Sequence, residues 1–225
     1  MDIPIYVINF NDEIRKNKMI NRFKSVNLEL KITPPVYQND FRLNFENPKL
    51  PKRTCSIMLQ HMDSINDFIT NTTANYCIIC EDDILISKNL NNDLPNIISQ
   101  FNHLKLDILL LGYLMPYKLE SNNYFKLKEN SYSYHSYPDD LWGSQMYLIS
   151  RSYGIFLLNK YTIDYAQTHE DEPYSPDWVI TKNGNRAILY PMVALEEGDS
   201  KSDHQGQNDF HRRCFECNYK DGVFI

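Results

Sequence analysis

The stretch CIICEDDILIS, residues 77–87, constrains this chain more than any other. The near-continuous apolar run YCIIC, Tyr76 to Cys80, predicts a strand buried on both faces, as in a parallel sheet covered by helices above and below. It runs without a turn signal into three consecutive carboxylates, Glu81, Asp82 and Asp83, and then into Ile84, Leu85 and Ile86. Adjacent carboxylates repel one another and lose hydration in an interior unless positive charge neutralises them. In an open parallel sheet, ligands bind beyond the carboxyl ends of the strands, the end these acids occupy. Alternation along an extended chain puts Glu81 and Asp83 on one side, able to converge on one cation, and turns Asp82 to the other. Such hard oxygen ligands favour Mn²⁺ or Mg²⁺ over Zn²⁺. A solvated acidic turn is the alternative.

The rest of the pattern alternates strands and helices. IPIYVINF (3–10) reads as a first strand, and Ile14, Met19, Ile20, Phe23 and Val26 follow at helical spacing. LELKI is a second strand stopped by Pro34 and Pro35, and residues 36–52 read as a loop. Thr54 is placed to cap a helix whose stripe is Cys55, Met58, Leu59, Met62, Ile65, Phe68 and Ile69. After the acidic strand come a helix from Leu94 to Leu104 and the strand DILLLGY. Residues 116–140 read as a loop or excursion containing a candidate hairpin around YFKLKENSYSYHSY. QMYLIS is a strand, with Ser150 a cap for the helix after it. SPDWVITKNG predicts a helix with Ser175 as cap, Pro176 at its first position and Gly184 at its end. AILYPMVAL is a late strand, and the chain beyond Glu196 is polar and charged. This order predicts an α/β fold with a mostly parallel central sheet. One domain spans 1–225, its core at about 3–205 and a polar C-terminal tail at 206–225.

Composition narrows the function classes. The 225 residues carry a net charge of −6, without the basic surplus of a nucleic-acid binder. Five cysteines cannot all pair, and Cys77 and Cys80 read as buried thiols inside the strand. MDIPIYVINF lacks the basic and apolar regions of a signal peptide, and no apolar run reaches the roughly 18 residues of a membrane span. These features predict a soluble protein, cytoplasmic or host-cytosolic, with no nucleic-acid partner. His204, His211, Cys214 and Cys217 cluster near the end, but a lone C-x-x-C with this histidine spacing fits no standard zinc finger.

Taken in order, these motifs resemble glycosyltransferase family 25, the lipopolysaccharide and collagen β-galactosyltransferase type. The family's I-x-V-I-N-L strand is here IYVINF. Its Ser-His helix is CSIMLQHMDSINDF, with Gln60-His61 at the pair. Its I-L-E-D-D is ICEDD, followed by a strand like DILLLGY. Its G-x-x-x-Y-x-I-S element is Gly143, Tyr147, Ile149 and Ser150. A P-x-D helix is matched by Pro176, Asp177 and Trp178 in a variant spacing, and an S-D segment by SKSDHQG.

The resemblance runs from about residue 4 to residue 205, and it implies a GT-A-like nucleotide-sugar-binding fold. The activity it implies is metal-dependent, inverting transfer of a hexose, most often galactose, from a UDP-sugar to a glycan or glycoprotein hydroxyl. Mn²⁺ (or Mg²⁺) would be held by Glu81 and Asp83, with Asp203 or His204 as a third ligand from the S-D segment. Asp177 matches the family's general base, with helix N-terminal charge as its plainer role. Asp139 and Asp140 are the alternative bases. The donor contacts would be Asn9, Arg15, His61, Asp82 and Gly143. For Asp82 that means ribose, sugar or a brace of the loop; for His61 a buried hydrogen-bonded position is the alternative, and for Asn9 a turn. Two other functions use the same residues: a sugar- or nucleotide-binding module that has lost turnover, and a metal-dependent phosphohydrolase.

Overall fold

The computed structural model describes residues 3–119, 125–129, 131–137, 141–169, 171–198 and 205–225, with backbone only at 125–129. In chain order the strands are β1 (Ile5–Ile8), β2 (Lys31–Thr33), β3 (Tyr76–Glu81), β4 (Ile84–Ile86), β5 (Ile108–Leu114), β6 (Phe125–Glu129), β7 (Tyr132–His135), β8 (Trp142–Ser150), β9 (Arg186–Tyr190) and β10 (Ala194–Glu196). The helices are α1 (Glu13–Ser25), α2 (Lys52–Asn71), α3 (Leu90–His103), α4 (Arg151–Lys160), α5 (Ile163–Thr168) and α6 (Gln205–Asn218).

Eight strands form one sheet in the order β2-β1-β3-β8-β5-β9-β7-β6, and β10 pairs with β4 in a second, two-stranded sheet. Strand alternation builds a core on each face. Cys77 and Ile79 of β3 pack with Met58, Met62, Ile65 and Phe68 of α2 and with Tyr153 and Leu157 of α4. Ile78 and Cys80 face the other way, onto Met19 and Phe23 of α1 and Ile97 and Phe101 of α3. The period-2 run of β3 is therefore buried on both sides, as its composition requires.

The sheet is mixed rather than mostly parallel. The pairs β1–β2, β1–β3 and β5–β9 are parallel, while β3–β8, β5–β8, β6–β7 and β7–β9 are antiparallel. The departure comes from β8, which enters between β3 and β5 in reverse. Both faces of β8 are covered by helices, so its apolar run looks the same in sequence whichever way it points. The candidate hairpin forms as β6 and β7.

Three local expectations change. SPDWVITKNG makes only a single π-type turn, Pro176–Ile180, and Ser175 makes no side-chain cap bond. Helix α2 begins at Lys52 with Pro51 before it, ahead of Thr54. Residues 206–225 are not a loose tail: α6 buries Cys214, and Ile225 exchanges backbone hydrogen bonds with Ile86 on the edge of β4. All five cysteines are free. Among the described residues no helix is long and apolar enough to cross a membrane.

Arg151, at the junction of β8 and α4, ties this frame to α2. Its guanidinium donates to the carbonyls of Phe68, Ile69, Thr72 and Ala74 and lies over the Phe68 ring at 4.7 Å. It thus satisfies carbonyls that the end of α2 leaves without helical partners. Arg151→Met should lower unfolding free energy by about 3 kcal/mol, and Arg151→Lys should recover little of it, because one ammonium cannot fork across four carbonyls. Urea titration of the three proteins measures this; a methionine variant within about 0.5 kcal/mol of the parent would refute it.

Candidate functional site

The chain leaves the main sheet at the acidic stretch. Strand β3 ends at Glu81, Asp82 and Asp83 form a bend, and β4 resumes in the second sheet. This corner opens into a cleft of about 690 Å³. Its walls come from Arg15 of α1, Arg53 of α2, all three acids, Trp142 and Ser144 of β8, Asp177, and His211 of α6.

The bend alters the expected side-chain directions. Alternation holds only while the chain stays extended, and at Asp82 it does not. One guanidinium, that of Arg15, reaches both aspartates, at 3.0 Å to Asp82 Oδ1 and 3.2 Å to Asp83 Oδ2. Asp82 also accepts a 2.6 Å bond from Asn9 Nδ2, so it braces the corner. Arg15 reaches them because Asp12 caps α1, accepting from the amides of Ile14 and Arg15.

Further along the same helix face, Lys18 and Arg22 pair with Glu197, and Arg22 donates to Ile84 O. The Glu197 amide in turn donates to Asp83 O at 2.8 Å. Positions 15, 18 and 22 follow helical spacing, so α1 presents a basic stripe to the acids. Lys16 faces away, paired with Glu13.

Among the described residues Glu81 has no such cation, and its Oε1 accepts only from Ser144 Oγ, at 3.1 Å. Burial first, then repulsion from Asp83 and Asp177, pushes its pKa well above the ordinary carboxylate value. Asp83 is raised for similar reasons, burial and then Glu196, with Arg15 opposing them. Its Oδ1 is buried without a hydrogen-bond partner, as is Oε1 of Gln145 in the same cleft. Among the described residues no three His, Cys, Asp or Glu side chains are placed to hold a metal ion. The Glu81–Asp83 pair nonetheless has the chemistry of a cation site, because like charges partly withdrawn from water retain a proton or take up a cation.

Asp177 lies in the same cleft, on the π-type turn. Burial raises its pKa, while the Ser144 hydroxyl and the amides of Gly143 and Ser144 favour its charged form. Ser144 thus faces both Glu81 and Asp177. The glycine before it is required by packing: at φ +119° a Cβ on Gly143 would sit 2.8 Å from Leu114 N. Gly143 does not itself line the cleft.

The remaining expected donor contacts sit deeper. Asn9 is 2% exposed and held between Asp82, Asp12 O and the Gln60 side chain. His61 is 0% exposed, 2.8 Å from the Tyr147 hydroxyl, and away from the cleft. It occupies the inward stripe of α2, where burial decides its role. Asp139, Asp140, Asp203 and His204 lie outside the described residues.

Sequence reasoning missed Ser144 and Arg53, and it weighed His211 only as part of a C-terminal His/Cys cluster, not as a wall of this cleft. His211 Nδ1 is 2.7 Å from Glu196 Oε2, and that hydrogen bond raises its pKa. Its signal was present: Gln207, Phe210, His211 and Cys214 follow helical spacing. Arg53 carried only its charge, between the loop reading of 36–52 and the expected cap at Thr54.

The chain matches no protein-family model and no curated protein. It is similar to a solved glycosyltransferase involved in glycosylation of the major capsid of PBCV-1, at 11% identity over 94% of this chain and 98% of that one, with a TM-score of 0.48. A second similar structure is a protein from STIV, at 14% identity over 87% and 84% of the two chains and a TM-score of 0.42. At these scores neither likeness bears on fold or activity.

Burial lowers the His61 pKa from its ordinary value near 6.5 to about 3. Between those values the unfolded chain binds the proton and the folded chain does not. The stability contributed by neutral His61 is therefore complete above pH about 6.5 and is lost as pH falls toward 3, by up to about 1.4 kcal/mol per unit. The stability gap between the parent and His61→Phe should shrink as pH is lowered from 7 to 4, as read from urea melts at each pH. A gap that stays constant would mean His61 is protonated in the fold.

Proposed function

We propose that the chain is a metal-dependent, inverting glycosyltransferase, moving a hexose from a UDP-sugar to a hydroxyl of a glycan or glycoprotein, in the manner of the family 25 enzymes it resembles. One observation carries this reading. The cleft at the end of β3 holds a cation-seeking carboxylate pair, Glu81 and Asp83, and a separate half-buried carboxylate, Asp177, with Ser144 between them.

Glycosyl transfer needs those two functions apart. The bond from the anomeric carbon to UDP breaks with its electron pair leaving on the diphosphate. The acceptor oxygen bonds to the same carbon from the opposite side, and its proton passes to a base. Asp177 is that base. Burial raises its proton affinity toward the working range of a general base, and the hydroxyl and amides around it fix its direction.

Glu81 and Asp83 would hold Mn²⁺ or Mg²⁺, with Asp203 or His204 as further ligands. Such an ion supplies Lewis-acid stabilisation of the departing diphosphate without a proton. The orphaned Asp83 Oδ1 and the raised pKa of both acids support the fit. Arg15, Arg53 and His211 line the same cleft and could add positive charge for a diphosphate.

The test is UDP release from a panel of UDP- and GDP-sugars, with Mn²⁺ and with chelator. One or more donors should turn over only with metal. Glu81→Gln and Asp83→Asn should abolish that release. Asp177→Asn should lower kcat about 10²–10⁴-fold while UDP still binds in the presence of Mn²⁺. Absence of metal-dependent release from every donor would overturn the proposal.

A further inference from the structure

A second cavity of about 320 Å³ lies behind the turn that carries Asp177. Asp177 and Trp178 form the partition: Asp177 lines the acidic cleft, and Trp178 lines the second cavity. Across the partition the Trp178 ring meets Trp142, which lines the cleft, at 6.0 Å between centroids.

The other walls are aromatic and held in place. Tyr161 and Tyr165 meet edge to face at 5.0 Å. Tyr165 is stacked on His169 at 3.9 Å and donates its hydroxyl to Glu172 at 2.8 Å. The Lys160 ammonium lies 4.8 Å from the Tyr161 ring and 5.8 Å from the Tyr165 ring, with no carboxylate partner among the described residues. Tyr161 belongs to the core and Tyr165 packs against it, while Lys160, His169 and Glu172 reach the cavity from the exposed side.

The volume is that of a small-ligand pocket, and the lining suits one ligand class. A pyranose has an apolar C–H face that packs against the electron-rich face of an aromatic ring, and a rim of hydroxyls that pair with charged side chains. A wall already fixed by stacking and hydrogen bonds loses little freedom on binding. We propose that this cavity binds one pyranose of the acceptor glycan, next to the sugar whose hydroxyl reaches Asp177. The acceptor is then an oligosaccharide rather than a lone hydroxyl. It spans the Asp177–Trp178 partition, one sugar against Trp142 and the next against Trp178. This inference rests on the transferase reading above only for the sugar's role as acceptor, not for the pocket's affinity.

Saturation-transfer NMR with lactose, cellobiose, maltose and N,N′-diacetylchitobiose tests it on the whole chain without donor or metal. At least one disaccharide should receive saturation. Tyr165→Ala and, separately, Lys160→Ala should weaken that binding roughly tenfold while leaving UDP affinity in the presence of Mn²⁺ unchanged. Circular dichroism guards against a folding defect, and the exposed Lys160 keeps the test open should Tyr165→Ala misfold. No binding of any of the four, or binding unchanged in both variants, would overturn the subsite. Disaccharide binding that these changes weaken, in a protein that turns over no UDP-sugar, would sustain the subsite and overturn the transferase reading. Turnover without disaccharide binding would do the reverse.

Discussion

The bond of Arg15 to Asp82 and Asp83 is the contact on which the corner of this structure depends. Without it, Asp82 would keep only the Asn9 amide and Asp83 would have no cationic partner among the described residues, at a bend where five carboxylates gather. Asp82 and Asp83 share Arg15, Glu197 has Arg22 and Lys18, and Glu196 has His211. Glu81 is left with a single hydroxyl. The balance is thus nearly complete except at Glu81. Removing charge from water costs several kcal/mol per group unless it is repaid by a partner. A fold that leaves Glu81 short of counter-charge has a site that is completed from outside the chain or by a proton.

The backbone makes that deficit possible. The bend after Glu81 sends β4 out of the main sheet to pair with β10, and this pairing delivers Glu196 and Glu197 to the acids. On the other side, β8 runs antiparallel to β3, so its beginning lies beside the end of β3. That places Ser144 at Glu81. Gly112 of β5 permits the same convergence from a third direction, since a Cβ there would sit 2.9 Å from the Ala194 side chain. Helix α6 then closes the cleft with His211. Each contribution comes from a different part of the chain, which is why no local stretch besides β3 announces the site.

This explains what the sequence could disclose. Burial on both faces, helical stripes in α2 and α3, and the buried thiols of β3 are all consequences of local periodicity, and they were legible. So was the acidic corner, because its charges break the periodicity. The direction of β8 was not, since a doubly covered strand reads alike in either sense. Nor was the turn at Asp82, because alternation presumes an extended chain and nothing local marks where extension stops. The turn 176–180 carries the Ser-Pro start of a helix, yet the helical turn stops at Ile180, ahead of Gly184 and of β9. Helix α6 looked like a tail because its mean polarity is high; its few apolar residues are spaced to bury one narrow face, and that spacing was readable.

The two cationic answers to the acidic corner also differ in what they can do. Arg15 is covalently part of the fold, so its charge is present before and after any ligand binds. It holds Asp82 and Asp83 in place and lowers the cost of keeping them ionised, but it cannot respond to a substrate. Glu81, Asp83 Oδ1 and Asp177 lack such a fixed partner, and the energy of each depends on what enters the cleft. Chemistry in a preorganised site requires that division: charges already balanced form the frame, and charges left unbalanced select and act on the ligand. On this division Asn9, Asp82 and Gly143 belong to the frame, while Glu81, Asp83 and Asp177 are the groups that face the ligand.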